Sequence, residues 1–186
     1  MKKQILSLLF LIIILFTFVS GCLESSDEDT GENFIFNTLN GSTGQLIDYR
    51  GKIVILDLWA TWCGPCQYQM TELKKIYENY SRNDLEIISV DIDPREDAQL
   101  IQSFRNWFND TKGIELDWIF GMDNESISEK YMKEGVIPTL CIFDKKGRLS
   151  FREAGICVYL EVPASLPANT TVLAPIINEL IDKIMR

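Results

Sequence analysis

Two cysteines, Cys63 and Cys66, stand two positions apart with Gly64 and Pro65 between them. A pair at this spacing can close a disulfide, supply half of a zinc site or act as two independent thiols. Zinc takes four ligands. The chain has no histidine, and the remaining cysteines of the domain, Cys141 and Cys157, lie 16 positions apart, so neither a metal nor another cofactor is expected. The lack of histidine also removes the usual base for serine or cysteine hydrolysis and the usual near-neutral pH switch. That leaves a redox disulfide or two independent thiols, and the surrounding elements decide between them.

Thiol-disulfide chemistry needs a thiolate, and the neighbouring elements are placed to favour one. Ile53 to Trp59 is an almost continuous apolar run, interrupted by Asp57, which fits a central strand buried on both faces. Gly64-Pro65-Cys66 opens a helix whose apolar residues Met70, Leu73, Ile76, Tyr77 and Tyr80 recur at three and four positions. The pair therefore sits at a helix N-terminus, where unpaired N–H groups and the helix dipole lower a thiol pKa from about 8.5 toward neutrality. Cys63, the first and more exposed residue, is the expected nucleophile. Cys66, one turn further in, would attack Cys63 and resolve the mixed disulfide.

From Phe34 onward strand and helix signals alternate, the pattern of an α/β domain with a sheet between helices. Strands are predicted at 34–39, 53–59, 85–92, 118–120, 139–143 and 148–154. Asp93-Pro94 reads as a helix start, with Ile101, Phe104 and Phe108 facing inward. A short helix is expected over 126–133, and a final one carries Ile176, Ile177, Leu180, Ile181 and Ile184. Asp144-Lys145-Lys146-Gly147 should close a hairpin that sets Cys141 opposite Ser150. Cys141 then serves as a small apolar residue, while Cys157 is a free thiol with a conceivable accessory redox role. Residues 158–171 have no period and read as a surface excursion.

The chain has 186 residues and a net charge of -9, and the sparse lysine and arginine exclude nucleic acid as a partner. Lys2 and Lys3 precede an apolar run from Ile5 to Val19, the architecture of a signal peptide or membrane anchor over 1–21. Its reach of roughly 22 Å falls short of the roughly 30 Å hydrocarbon core, which favours cleavage. Val19-Ser20-Gly21-Cys22 resembles a lipoprotein processing box, so Cys22 is the expected lipidation site. A retained anchor or a secreted product are the alternatives. Residues 22–33, acidic and poor in apolar side chains, read as a flexible tether to a single domain over 34–186. Asn-x-Ser/Thr sequons at Asn40, Asn79, Asn109, Asn124 and Asn169 exceed the roughly one expected by chance and suggest an extracytoplasmic glycoprotein.

Trp59-Ala60-Thr61-Trp62-Cys63-Gly64-Pro65-Cys66 resembles the thioredoxin active-site segment, and Gly135-Val136-Ile137-Pro138-Thr139 resembles the loop that sets a cis proline opposite it. Together with Asn40-Gly41, Arg50-Gly51-Lys52 and Asp144 to Arg148, these motifs look most like the membrane-tethered TlpA/ResA-like branch of that superfamily. The resemblance implies a thioredoxin-like α/β fold, a central mixed sheet with helices on both faces. It implies that Asp57 relays a proton for Cys66, a role suited to a carboxyl whose pKa is raised by burial. It further implies that Trp62, Gly64, Pro65, Ile137 and Pro138 contact substrate. The chain departs from the pattern at three places: Ser89 stands where thioredoxin has a lysine beside the aspartate, Gln69 where ResA-like proteins often carry glutamate, and Thr71 in place of a helix proline.

The function implied is dithiol-disulfide exchange on extracytoplasmic proteins. The Gly-Pro spacer resembles that of strongly reducing thioredoxins near about -270 mV and favours the reductase direction. Such an enzyme would be a monomer anchored at the membrane, acting on protein disulfides or dithiols and recycled by a membrane electron donor. A thiol peroxidase of peroxiredoxin type is the first alternative, although its reactive cysteine usually stands alone. A redox-inactive lipid-anchored binding module is the second, against which the retention of both cysteines speaks.

Overall fold

The computed structural model describes residues 31–183. The leader, Cys22, residues 22–30 of the acidic segment and Ile184 lie outside them. No helix among the described residues is long and apolar enough to cross a membrane.

Seven strands form one mixed sheet: β1 (Ile35–Thr38), β2 (Thr43–Gln45), β3 (Ile53–Trp59), β4 (Leu85–Asp91), β5 (Ile119–Met122), β6 (Thr139–Phe143) and β7 (Leu149–Ala154). Their spatial order is β2-β1-β5-β4-β3-β6-β7. The central strands β3, β4 and β5 run parallel, and β1, β6 and β7 are each antiparallel to the inner neighbour. All seven residues of β3 are buried, as its apolar run predicts.

Helices α1 (Gly64–Asn79), α2 (Ala98–Lys112) and α4 (Ala174–Asp182) bury Met70, Leu73, Ile76, Ile101, Phe104, Phe108 and Ile177 against the sheet face carrying Ile53, Ile55, Trp59 and Ile87. Side chains alternate along a strand, so Val54, Leu56 and Leu58 face the other way. There they meet Leu46 of a 3-10 turn (Leu46–Tyr49) and Ile127 and Tyr131 of α3 (Ser126–Tyr131). Helices thus cover both faces. At the β1 edge the Phe36 ring lies over Gly44 and Gly121, where an added Cβ would come within 2.4 Å of it.

Several elements differ from expectation. The second long helix is capped by Asp97, whose carboxylate accepts the Leu100 N–H at 2.8 Å, and not by Asp93, whose oxygens are engaged elsewhere. Strand β5 starts one residue late, at Ile119, and runs on to Met122, with Trp118 buried just ahead of it. Cys141 pairs with Arg152 and not Ser150. The shift has two parts: Asp144 N–H reaches the Arg148 carbonyl, which lengthens the turn, and a bulge between Ile142 and Phe143 moves the register again. The excursion after β7 begins with Cys157, Val158 and Tyr159 in the core and becomes superficial only beyond them. Gly31 to Asn33, at the end of the acidic segment, lie against the domain: Arg50 donates to the Gly31 and Glu32 carbonyls, and Glu32 pairs with Lys130 at 2.7 Å.

Candidate active site

Strand β3 ends at Trp59, and a four-residue turn delivers Cys63 as the cap of α1. Cys63 and Cys66 are joined in a disulfide with their Cα atoms 5.2 Å apart. Cys63 Sγ accepts the Cys66 N–H at 3.1 Å, so a backbone donor of the first helical turn points at the sulfur that would carry negative charge after reduction. Cys63 is 4% exposed and Cys66 fully buried, the order expected for attacking and resolving thiols. Around this recessed bond Trp62, Gly64 and Pro65 are exposed, Trp62 at 61%.

Asp57 lies on the α1 side of β3, in alternation with Ile55 and Trp59, and is completely buried. Burial pushes its carboxyl up to about 7, opposed only by the Ser89 hydroxyl, which donates to Oδ2 at 2.9 Å. Ser89 is its register partner on the parallel strand β4. The second oxygen, Oδ1, has no partner among the described residues. A carboxyl held near neutrality with a free lone pair can accept or return a proton.

The turn before Cys63 is held by acidic groups from the loop between β4 and α2. Glu96 accepts the Thr61 N–H at 3.1 Å and the Thr61 hydroxyl at 2.7 Å, and Asp93 accepts the Trp62 indole N–H at 2.8 Å. Arg95 and Trp62 together hold the Asp93 carboxyl well below the usual range, its largest support being the Arg95 guanidinium. Neither acid stood out in the sequence. In the sequence Asp93 reads as a helix cap and Glu96 as a favourable first-turn acid, and no pattern links residues more than thirty positions apart.

On the far side of the sheet end, the Ile137–Pro138 peptide bond is cis, and Ile137 packs against the cluster that contains both redox cysteines. The Pro138 carbonyl accepts from Gly155 and the Val136 carbonyl from Thr139 Oγ1. The N–H and C=O of Ile137 carry no hydrogen bond among the described residues, and Val136 is 47% exposed. Behind Cys66, buried Gln69 accepts the Cys157 N–H at 2.7 Å, and Glu72 accepts the Tyr159 N–H at 3.0 Å. Burial pushes the Cys157 and Cys141 thiols up to about 12. Thr71 turns its hydroxyl to the Tyr68 carbonyl within the helix. The described residues contain no group of three or more ligands fit for a metal.

Several known proteins are similar to this chain. The chain is 31% identical over 120 residues to the thiol-disulfide oxidoreductase ResA of Geobacillus thermodenitrificans, an alignment covering 64% of each chain. It is 30% identical over 161 residues to the ResA of Bacillus cereus, covering 80% of this chain and 87% of that one. The first match therefore spans a little under two thirds of its relative's length. Among solved structures, a thiol-disulfide isomerase from Corynebacterium glutamicum superimposes with a TM-score of 0.62 at 19% identity, over 81% of this chain and 94% of that one. The fold is thioredoxin-like. Residues 28–152, well over half of the sequence, match the AhpC/TSA family, and the chain belongs to that family.

Proposed function

We propose that this protein is a thiol-disulfide oxidoreductase that reduces disulfides in proteins outside the cytoplasm. The observation that carries the reading is the Cys63–Cys66 disulfide at the N-terminus of α1, recessed below exposed Trp62, Gly64 and Pro65. In the reduced enzyme the Cys63 thiolate attacks one substrate sulfur, and the other leaves as a thiolate that takes up a proton. Asp57 accepts the Cys66 proton. Cys66 then attacks Cys63 Sγ, the second substrate thiol is released, and the enzyme is left with the Cys63–Cys66 bond. Two electrons from a membrane donor, with the proton on Asp57 returned to Cys66 and a second taken from solvent, restore the dithiol. Ile137, with its unpaired N–H and C=O, and Pro138 hold an extended substrate strand opposite the pair.

The pairing of Cys63 with Cys66 favours exchange over a peroxidase, whose reactive cysteine usually stands alone, and over an inert module. Reduction of insulin with dithiothreitol as donor tests it: Cys63→Ser is expected to abolish turnover, and Cys66→Ser to accumulate a mixed disulfide on Cys63. Full activity of Cys63→Ser refutes the proposal. A Cys63–Cys66 potential near about -270 mV supports the reductase direction, and one near about -120 mV reverses it.

The leader and the Val19 to Cys22 box support anchoring through a lipid on Cys22 after removal of 1–21, with the acidic segment as tether. Mass spectrometry of membrane material finding an intact Met1 or an unmodified Cys22 overturns this. All five sequon asparagines within the domain are exposed, as glycosylation of an extracytoplasmic protein requires. A mobility unchanged by deglycosylation of native material removes that part.

A further inference from the structure

Within the turn that presents Cys63, Thr61 makes three hydrogen bonds. Its N–H and its hydroxyl both go to Glu96, and its carbonyl accepts Gln67 Nε2 at 3.0 Å from the first turn of α1. Glu96 therefore spends both oxygens on one residue two positions before the attacking thiol. Behind it stands Asp91, the last residue of β4, which is 2% exposed. Its Oδ1 accepts the Asp93 N–H at 2.9 Å, while its Oδ2 has no donor from the described residues, and the Asp91 carboxyl interacts with the neighbouring side chain of Glu96.

We propose that Glu96 is a positioning residue for the redox pair, holding the Thr61–Trp62 turn in the form that presents Cys63, and that it is held in turn by one proton shared with the buried carboxyl of Asp91. The inference rests on the reading of Cys63 as the attacking thiol. A proton on Asp91 Oδ2 directed at Glu96 satisfies the orphaned oxygen and leaves Glu96 free to accept both Thr61 donors. Without it, two carboxylates meet in a buried space. No cation among the described residues is paired with either: Arg95, the one basic group of this loop, is committed to Asp93, while Asp123 and Glu125, beyond β5, add negative charge to the same cavity. The Thr61 segment brings no charge of its own.

Burial and the neighbouring Glu96 push the Asp91 carboxyl up to about 8. Below that pH the pair holds its proton and the clamp is closed. Above it Asp91 loses the proton, repulsion drives half-buried Glu96 toward solvent, and Thr61 is released. Thiol-disulfide exchange otherwise accelerates with pH as the thiolate fraction rises, so a loss of rate above pH 8 has the opposite sign to the intrinsic chemistry.

The test is the single-turnover rate of the pre-reduced full chain with a small aromatic disulfide and with insulin, from pH 6 to 9.5. Glu96→Ala is expected to slow both substrates about tenfold at pH 7, because a misplaced thiol affects every substrate. Glu96→Gln, whose amide can accept from Thr61 and donate to Asp91 without a titrating proton, should recover most of that loss and lack the fall above pH 8 seen in the wild type. Thr61→Val, which removes one donor, should lose about threefold and serves where Glu96→Ala does not fold. A wild-type rate in Glu96→Ala or in Thr61→Val overturns the inference, as does a wild-type profile above pH 8 that matches Glu96→Gln. Activity in Cys63→Ser would instead defeat the reading of the nucleophile, whatever the Glu96 variants do.

Discussion

Ser89 Oγ lies 2.9 Å from Asp57 Oδ2 and accepts the Trp118 indole N–H, also at 2.9 Å, so one hydroxyl links a fully buried carboxyl to a buried indole. The bond to Ser89 lowers the Asp57 pKa against the larger effect of burial. Ser89→Ala is expected to raise that pKa above about 7, shifting the pH dependence of mixed-disulfide resolution upward in stopped-flow traces. It also leaves the Trp118 N–H buried without a partner, so urea unfolding should show a loss of about 1–3 kcal/mol.

Asp57 makes stability depend on pH in an identifiable window. Its folded-state pKa, about 7, lies above the ordinary 3.8, so between these values the native state binds more protons than the unfolded chain. Stability attributable to this group falls as pH rises from about 4 to about 7 and stays low above that. Asp57→Asn removes the penalty. The oxidised variant should match the wild type near pH 4 and exceed it by a few kcal/mol at pH 8 in denaturant midpoints. An equal difference at both pH values would show that the carboxyl does not titrate there.

Much of this arrangement was legible from residue order alone. The apolar run 53–59 with one aspartate, followed by a cysteine pair at a helix start, determines strand, turn and helix locally, and local periodicity reports such elements directly. Ser89 was placed opposite Asp57 by resemblance, and the parallel register puts it there. The acids that hold the turn were not legible. Asp93 and Glu96 meet Trp62 and Thr61 only because β3 and β4 are adjacent in the sheet, and a pairing across 31 or 35 positions leaves no periodic trace. The hairpin register was lost for a related reason: a bulge at Ile142/Phe143 depends on how both strands twist and not on the turn residues.

The two other cysteines of the domain, Cys141 and Cys157, should be inert. Both are fully buried, with thiols pushed up to about 12 by burial, so the thiolate fraction near neutrality is negligible. In the reduced protein at pH 7, iodoacetamide is expected to modify Cys63 first and to reach Cys141 and Cys157 only after denaturation, as read by peptide mass spectrometry. Native labelling of Cys157 would return it to an accessory redox role.

Gln69 and Glu72 tie the segment after β7 to the redox helix by accepting the Cys157 and Tyr159 amides. Each acceptor removed leaves a buried N–H unsatisfied. Gln69→Ala and Glu72→Ala should each destabilise the domain by about 1–3 kcal/mol. Hydrogen exchange should show faster turnover at the Cys157 and Tyr159 amides. Loss of stability without local deprotection would mean that the segment finds other partners.

Trp62 and its partner Asp93 permit a test that separates docking from chemistry. The indole is 61% exposed yet fixed at its N–H by Asp93 Oδ2, to which Arg95 also donates at 2.5 Å. A pre-oriented aromatic plate lowers the ordering cost of meeting a protein surface, but it gives nothing to a small disulfide that reaches Cys63 alone. Asp93→Ala is therefore expected to raise KM for insulin about threefold to tenfold, the worth of one hydrogen bond, while leaving single-turnover reduction of a small aromatic disulfide unchanged. Asp93→Asn keeps an acceptor for the indole and should restore most of the loss. Glu96→Ala, acting on the thiol itself, should slow both substrates, so the two carboxylates of one loop are distinguishable by substrate size. Equal effects of Asp93→Ala on both substrates would place Asp93 with Glu96 in holding the turn and deny Trp62 a separate docking role.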